Sequence, residues 1–451
     1  MTFIVPPSLD RSHPQSFGHT NSGLSRNPSR VYLWLLGLSC FFPYPALTLG
    51  NRTGLQLSHF LSLVILPSLL FGPPTRAIYA FIILAGPRVF SAFHGVMRPG
   101  APDIDIIPKE LISSLLAICP LPASTQFYRG VGFRTMLLAG SVAVIVHSIL
   151  GFYQVYAFSH DQYPFLFLYR NPSFKEMETW AEVYALYVKR PCGLFPEPSA
   201  LASAVGPWLV LIAGVLLDPV ARARYCPKIG PLWVYGLAAL LGFVLIALSR
   251  SGLTPLILIA VIIAAVSQSR AIYRSLGPGA FVAGLGFLAV TFGALVYVLA
   301  VVGDNLDARI DSSWGIRTMS IVTGLTANTE PLDLVFGVGP GQSTAIVRKI
   351  LGGVPLSKGQ DDMAIWSLSV TYYMESGALA ALAMLMVLMM ILHSIARSAA
   401  WVLGLVSLAV WTFAVTLTTS YPHLSSIWLF LGALLEWDAI FPRRPVGKDL
   451  T

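Results

Sequence analysis

The chain has 451 residues, of which 55% are hydrophobic and 11% are charged. Soluble domains carry about 25% charged residues, so these charges are too few to cover a water-exposed surface, and lipid is the expected solvent for most of the chain. The net charge of +8 does not indicate nucleic-acid binding, because the basic residues are scattered between apolar runs without a nucleic-acid motif. The four cysteines show no paired spacing, which argues against a disulfide framework and against a zinc site.

Apolar segments long enough to cross a bilayer recur along the chain. A membrane-spanning helix needs about 20 mostly apolar residues, and the candidates are roughly 31–50, 56–72, 76–93, 106–122, 133–157, 200–217, 231–248, 253–268, 278–302, 365–394, 399–419 and 424–441. The fourth is the weakest, because it is short and has Lys109 and Glu110 near its start. We predict an all-α polytopic membrane protein of about twelve transmembrane helices, with a disordered cytoplasmic tail over 1–30, one transmembrane domain over 31–441 and a second cytoplasmic tail over 442–451.

The basic residues predict the orientation of these spans. If the N-terminus is cytoplasmic and all twelve spans are present, the cytoplasmic side holds fifteen Arg and Lys residues against three Asp residues. Cytoplasmic loops of membrane proteins carry an excess of Lys and Arg, and a wrong number of spans would scramble this alternation. Both termini are therefore expected in the cytoplasm.

Two predicted connections, 158–199 and 303–364, are much longer than the others, and both fall on the extracytoplasmic side. Long loops in a compact protein are usually functional or disordered, and these two are rich in aromatic and aliphatic residues, which favours ordered loops with short helices. In the first, a capping-box pattern at Ser173 precedes a predicted amphipathic helix. In the second, a helix is expected to begin at Asp311 or Ser312.

The most informative stretch runs from Arg190 to Ser199 and reads Arg-Pro-Cys-Gly-Leu-Phe-Pro-Glu-Pro-Ser. Its three prolines and one glycine exclude a regular helix, and irregular backbone at the membrane persists only where protein or water covers it. One interpretation is a rigid loop held by an ion pair between Arg190 and Glu197. The other is a pocket wall with an anion-binding arginine and a carboxylate.

Three further arginines lie near the predicted outer ends of spans. Arg250 occupies the short turn 249–252 between two very apolar spans, while Arg309 and Arg317 open the second long loop. A lone turn arginine is usually an interfacial anchor, but a charge between apolar helices tends to face a polar cavity. If these three converge with Arg190, they form a clamp for a diphosphate, because a guanidinium binds phosphate oxygens bidentately.

A glycine-rich run, Gly-Val-Gly-Pro-Gly at 337–341, precedes a predicted helix over about 341–352. Gly339 and Gly341 can cradle a phosphate through backbone N–H groups at a helix N-terminus, although a tight structural turn is the commoner use of such a run. Among the histidines, His423 between the last two spans is the best candidate for a cavity. No spacing typical of metal ligands is present, so neither a metal nor a cofactor is predicted.

In this order, these motifs resemble the O-antigen ligase/polymerase family of bacterial envelope enzymes. The segment from Arg190 to Ser199 looks like the family's best marker, the Ser-Arg-Ser-Gly turn at 249–252 is similar to its serine–arginine turn, and the run at 337–341 is similar to the glycine run of its large periplasmic loop. The similarity covers roughly residues 130–440. Ligases carry a histidine after the glycine run, whereas this chain has Asp361-Asp362-Met363 there, which favours a polymerase.

The resemblance implies an enzyme of the bacterial inner membrane. It would join repeat units of exopolysaccharide or O-antigen, carried on undecaprenyl diphosphate, at the periplasmic face, by inverting glycosyl transfer on a GT-C-like scaffold without metal or nucleotide sugar. A ligase that transfers glycan to the lipid A core is the close alternative. The lipid bilayer, a chain-length regulator and a flippase of the same pathway are the expected partners, and nucleic acid is not.

For this reaction we hypothesise a role for each candidate residue. Arg190, Arg250 and Arg317 hold the diphosphate, Glu197 orients or deprotonates the attacking hydroxyl with His423 in reserve, and Arg309, Gly339 and Gly341 contact substrate. The alternative from another class is a flippase or transporter. A carrier places ionisable residues at the bilayer midplane, whereas the predicted spans are nearly free of charge, which favours the enzyme.

Overall fold

The computed structural model describes residues 30–44, 46–49, 53–72, 74–98, 104–128, 132–165, 189–226, 229–249, 313–351, 365, 367–419 and 421–443, with a few residues between 251 and 263. These parts of the chain are mostly helical. The helices are α1 (Arg30–Ser39), α2 (Leu57–Leu70), α3 (Arg76–Met97), α4 (Ile106–Ile118), α5 (Pro120–Ala123), α6 (Thr125–Tyr128), α7 (Gly132–Ser159), α8 (Pro198–Leu217), α9 (Pro219–Tyr225), α10 (Ile229–Ser249), α11 (Ser313–Thr326), α12 (Pro331–Phe336), α13 (Ser343–Leu351), α14 (Leu368–Arg397), α15 (Trp401–Phe413, extended by a π-turn Ala414–Thr418), α16 (Ser425–Leu435) and α17 (Trp437–Ile440).

Seven helical stretches of the described chain are long and apolar enough to cross a membrane, so this is a helical, multi-pass membrane protein. They are Arg76–Met97, Ile106–Tyr128, Gly132–Ser159, Pro198–Leu217, Gly230–Ser249, Leu368–Arg397 and Trp401–Thr418. Two shorter apolar helices, α2 and α16, accompany them. The predicted spans 253–268 and 278–302 lie almost entirely outside the described residues, and the count of twelve stays a prediction.

The first predicted span, 31–50, is wrong over its second half. Helix α1 ends at Ser39, and its ten residues extend only about 15 Å, half the thickness of the hydrocarbon core. Pro43 follows closely and cannot continue a helix. The chain then forms an antiparallel hairpin, β1 (Ala46–Leu49) with β2 (Thr53–Gln56), which is an exception to the predicted all-α fold.

Contacts between helix termini define two ends of the bundle. At one end, Arg76 at the start of α3 pairs with Asp438 of α17, and Phe133 at the start of α7 packs against Phe441 with ring centroids 6.4 Å apart. We call this the basic end, because most of the exposed arginines described below lie there. Helices α8, α14 and α16 end at this side.

At the other end, Leu368 at the start of α14 donates a backbone hydrogen bond of 2.8 Å to Thr419 beyond α15. Gln56 before α2 donates to the His423 carbonyl before α16, at 2.9 Å. We call this the loop end, because the helices α11 to α13 pack here. The described long helices alternate in direction between the two ends.

The central helix of the bundle is α8. Every residue from Pro198 to Val215 is buried, since small residues such as alanine and glycine let neighbouring helices approach closely. Trp208 of this helix packs edge-on between Phe41 and Phe430, with centroid distances of 5.4 and 5.3 Å. The helix therefore forms the core and carries the end of the Arg190–Ser199 segment at its first turn.

The described part of the second long loop, residues 313–351, is folded, and its helices agree with the prediction. Helix α11 begins at Ser313, next to the predicted cap, and α13 covers most of the predicted range 341–352. A separate apolar cluster, made of Val338, Val347, Ile365, Val370 and Met374, packs these elements against α14. The amphipathic helix predicted after Ser173 and the tail 1–29 lie outside the described residues.

Candidate functional site

The glycine run 337–341 is joined to α14 by backbone hydrogen bonds. Val338 donates to the Met374 carbonyl and Gly339 donates to the Glu375 carbonyl, both at 3.1 Å. Gly337 has φ +76°, and a Cβ built on it would overlap the Glu375 backbone, so this position requires glycine. The run is therefore a tight turn fitted to the kinked part of α14, whose backbone breaks helical geometry at Gly377.

The Glu375 side chain occupies the donors of this turn. Its Oε1 accepts the Gly341 N–H at 3.1 Å and the Ser343 hydroxyl at 2.6 Å, at the first residue of α13. Its Oε2 pairs with Arg88 of α3, whose guanidinium also lies 4.8 Å from the centroid of the Tyr372 ring. The N–H groups of Gly339 and Gly341 are thus both bonded to Glu375 of the same chain, and phosphate binding by the run stays a prediction.

Sequence reasoning missed Arg88 and Glu375. Both are buried, and each lies in a predicted span, 76–93 or 365–394. A charged side chain inside a membrane segment is costly to bury and usually faces a partner or a cavity. The sequence signal that could have found them is a single charged residue within a long apolar run. Their presence also corrects the statement that the predicted spans are nearly free of charge, which was used to favour an enzyme over a carrier.

A second polar group lies one to three turns further along α3. The Nε2 of His94 is 2.9 Å from Oδ1 of Asp333 in α12, and the Arg98 guanidinium is 2.7 Å from Oδ2 of the same carboxylate. Asp333 is buried, whereas His94 and Arg98 are partly exposed. The glycine run begins four residues after Asp333, so this group borders it directly.

The Arg190–Ser199 segment is buried from Pro191 onward and is held by two polar side chains of α7. Gln154 accepts the N–H groups of Cys192 and Gly193 at 2.9 and 2.8 Å and donates to the Gly193 carbonyl at 2.9 Å. His147 accepts the Leu194 N–H at 3.2 Å. These contacts satisfy backbone groups that an irregular segment would otherwise leave unpaired inside the bundle.

Glu197 lies at the N-cap of α8 and is buried. Its carboxylate accepts a hydrogen bond from Ser199, which places a negative charge at the positive end of the helix dipole. One turn further, the Ser203 hydroxyl is 2.7 Å from the Thr418 hydroxyl at the end of α15. The first turns of α8 therefore lie beside the end of α15, which leads to His423.

His423 belongs to a buried polar network that connects four segments. Its Nε2 is 3.1 Å from the Ser113 hydroxyl of α4, and its ring lies 6.2 Å from the ring of His59 in α2. Ser58 and Ser425 are hydrogen-bonded at 2.8 Å beside them. Burial lowers the pKa of His423 to about 4, so its imidazole is neutral near pH 7.

The structure brings several predicted site residues to the loop end and leaves others undetermined. Gly339 and Gly341 lie together beside Glu375. Glu197 lies at the start of α8, His423 lies between α15 and α16, and Arg190 is exposed. Arg317 falls within α11, but its side chain lies outside the description, as do Arg250 and Arg309 entirely. The predicted convergence of the arginines stays a prediction.

Across the described residues, no group of three His, Cys, Asp or Glu side chains is arranged to hold a metal ion.

No family model matches the chain, and no curated protein or solved structure is significantly similar to it. The motifs and the geometry of the loop end therefore provide the evidence on function.

Proposed function

We propose that this protein is a membrane glycosyltransferase that polymerises undecaprenyl-diphosphate-linked repeat units of an exopolysaccharide or O-antigen. The observation that carries the proposal is the common location of its motifs. The Arg190–Ser199 segment, the glycine run and the loop at His423 come from distant parts of the chain, and all three lie at the loop end as irregular backbone. Such backbone is stable in a membrane protein only where protein or a water-filled cavity covers it.

The orientation supports a periplasmic reaction. The exposed arginines Arg222, Arg224, Arg397 and Arg443 lie at the basic end, and an excess of Arg and Lys marks the cytoplasmic side. We therefore place the basic end and both termini in the cytoplasm, and the loop end in the periplasm of a bacterial inner membrane. A diphosphate-linked glycan that has crossed the bilayer reaches the loop end without leaving the lipid.

The proposed mechanism assigns charge stabilisation to the arginines. Arg190, Arg250 and Arg317, assisted by Arg309, bind the diphosphate and stabilise the charge that develops on it as the anomeric bond breaks, which is often the largest contribution to catalysis. Glu197 orients the attacking sugar hydroxyl or accepts its proton, with His423 in reserve. Gly339 and Gly341 contact substrate through the turn that Glu375 holds.

One observation favours a transporter as the second candidate. Arg88 and Glu375 form a buried ion pair within apolar helices, beside a break in α14 at Gly377. Carriers build substrate and ion sites from ionisable residues and discontinuous helices of this kind. In the enzyme, the same pair has the simpler role of fixing the glycine run.

The first experiment is deletion of the gene in its host, followed by sizing of the lipid-linked and surface glycans. Loss of polymer, with single repeat units remaining on the lipid carrier or core, is the result expected of a polymerase. Long glycan retained on undecaprenyl diphosphate would instead indicate a ligase. Repeat units held on the cytoplasmic side would indicate a flippase, and unchanged glycans would contradict all three.

The arginine assignment has a separate test in the complemented deletion strain. Arg250→Ala is expected to abolish polymer without reducing the amount of protein in the membrane. Arg222→Ala at the basic end is the matched control and is expected to leave chain length unchanged. Normal chain length in the Arg250→Ala strain would contradict the role of Arg250.

A further inference from the structure

The strongest unassigned group at the loop end is the pair of His94 and Asp333. The carboxylate of Asp333 accepts the His94 Nε2–H at 2.9 Å through one oxygen and binds Arg98 at 2.7 Å through the other. The Asp333 side chain is only 4% exposed, so its position is fixed by these contacts. A buried carboxylate that holds one ring nitrogen of a histidine orients the imidazole and stabilises its protonated form.

This arrangement sets the tautomer of His94. In a neutral imidazole whose Nε2 donates to Asp333, Nδ1 carries the lone pair, and this Nδ1 has no hydrogen-bond partner among the described residues. The side chain is 16% exposed, so a polar molecule at the loop end can reach it. The ring of Phe336 lies 5.7 Å from the His94 ring and limits its rotation.

The His94–Asp333 pair also lies next to the glycine run. A Cβ built on Gly95 would lie 3.0 Å from the Cα of Gly339, so α3 and the glycine run are in close contact next to His94. Helix α12, which carries Asp333, leads directly into the run. Any glycan that contacts the run as proposed lies beside the imidazole.

We propose that His94 is a catalytic residue and takes the proton of the attacking sugar hydroxyl; this inference rests on the proposed glycosyl transfer. The acceptor oxygen forms a bond to the anomeric carbon, and the bond from that carbon to the diphosphate oxygen breaks. The diphosphate leaves with the bonding electron pair, and the hydroxyl proton moves to Nδ1 of His94. Asp333 stabilises the resulting imidazolium, and Glu197 keeps the orienting role.

Glu197 and His423 are less suited to accept the proton. The Glu197 carboxylate is buried and already accepts a hydrogen bond from Ser199 at the N-terminus of α8. His423 is buried, and its Nε2 already contacts Ser113. His94 alone among the three combines an orienting carboxylate with an exposed edge.

Other charged groups lie on the elements packed against this part of α3, and the pH dependence of the reaction includes them. They are Arg88 and Arg98 on α3 itself, Lys109 and Glu110 on α4, Asp333 on α12, Glu330 at its N-cap and Glu375 on α14. None of these side chains is an imidazole, and imidazole is the side-chain type that ordinarily changes charge between pH 5 and 8. A fall in the reaction rate on the acidic side of the pH profile, called the acidic limb below, therefore reports on a histidine when it lies in that range.

The test uses the purified full-length protein in bilayers and the undecaprenyl-diphosphate-linked glycan pool extracted from the deletion strain. Wild-type protein is expected to form polymer at a rate that falls at acidic pH, where a protonated imidazole cannot accept a proton. His94→Gln is expected to lower kcat about 100-fold or more, to change KM little, and to lack the acidic limb. His160→Gln is the control, because His160 is exposed at the same end and bonds only within its own helix terminus.

Asp333→Asn provides a second variant with nearly unchanged shape. It is expected to lower kcat without loss of the folded protein, because an amide does not stabilise an imidazolium. A His94→Gln protein with the wild-type rate, or with a lower rate and an unchanged acidic limb, would overturn the assignment while the proposed function stands. Absence of polymer from the wild-type protein would overturn the proposed function itself.

Discussion

Helix α3 carries two ion pairs that differ in their surroundings. Near the basic end, Arg76 binds Asp438 through two hydrogen bonds of 2.6 and 2.8 Å, and the two side chains are 29% and 16% exposed. Twelve residues later, Arg88 binds Glu375, and those side chains are 7% and 8% exposed. Water still solvates part of the first pair, whereas the second depends on protein donors alone.

We call Arg88–Glu375 the inner pair and Arg76–Asp438 the outer pair. Their surroundings show why the inner pair is the more important for the structure. Arg76 also donates to Ser394 and to the Leu435 carbonyl. Its own side chain is 29% exposed, so it can bind water if a partner is lost. Glu375 accepts from Gly341 and Ser343 and has no such alternative. Loss of Arg88 or Glu375 therefore leaves buried groups unsatisfied. It also weakens the side-chain attachment of the glycine run, whose backbone hydrogen bonds to α14 remain.

The largest expected effect is that of Glu375→Gln. The substitution leaves the Arg88 guanidinium buried without a counter-charge, which is expected to lower the free energy of unfolding by about 3–5 kcal/mol. Thermal unfolding of the purified protein in detergent measures the loss. The double variant Arg88→Met/Glu375→Gln should regain much of it, because no unpaired charge remains and the amide oxygen still accepts from Ser343. Equal stability of the single variant and the wild type would show that the inner pair contributes nothing.

Gly337→Ala tests the attachment of the run from the other side. At φ +76° an alanine is strained, and its Cβ would meet the Glu375 backbone, so we expect a loss of at least about 2 kcal/mol. Gly236→Ala is the matched control, since a Cβ at Gly236 meets no atom within 4 Å. The same melting experiment compares them, and similar melting temperatures for the two variants would contradict the close fit of the turn.

Asp438→Asn is expected to have an intermediate effect of about 1–2 kcal/mol, because its pair is partly solvated. Burial by itself would raise the pKa of Asp438, but hydrogen bonds from Arg76 and Ser394 outweigh it and lower the pKa below the ordinary value. A carboxyl with a lowered pKa stabilises the fold above its unfolded-state pKa, and this contribution is lost as pH falls. Melting temperatures measured from pH 6 down to about pH 3 should therefore converge for wild type and variant, and a constant difference would contradict this origin.

The smallest expected effect is that of Lys189→Ala. Its ion pair with Asp161 measures 2.9 Å, but the side chains are 45% and 58% exposed, so its removal should change the free energy of unfolding by less than about 0.5 kcal/mol. This variant gives the smallest change in the free energy of unfolding with which the other ion-pair variants are compared. A change as large as that of Asp438→Asn would mean that exposure does not govern the strength of these pairs.

Hydropathy predicted most long helices and their alternation, since a span is a local property of about 20 residues. It failed at α1, where the apolar composition of 31–50 hid a proline, a turn and a hairpin. Capping residues and glycines gave the approximate positions of α11 and α13 correctly, because such residues mark helix ends locally. Local signals of this kind account for the predictable part of the fold.

The site was less predictable, because its contacts join residues far apart in the chain. The pairings of Arg88 with Glu375 and of His94 with Asp333 connect positions separated by 287 and 239 residues. No local pattern specifies such partners. The glycine run was found from sequence, but the carboxylate that binds it, Glu375, was not. A single glutamate in an apolar helix does not indicate which turn of the chain it will contact.

The burial of α8 has a consequence for biosynthesis. Ser203 and Trp208 contact Thr418 and Ser426, which the ribosome adds more than 200 residues later. At about 5–20 residues per second, the centre of the protein therefore waits roughly 10–40 s for the helices that complete it. During that interval the surface of α8 that the last helices cover lacks its final partners. The Arg190–Ser199 segment can pack earlier, because α7, which holds it, is made before it.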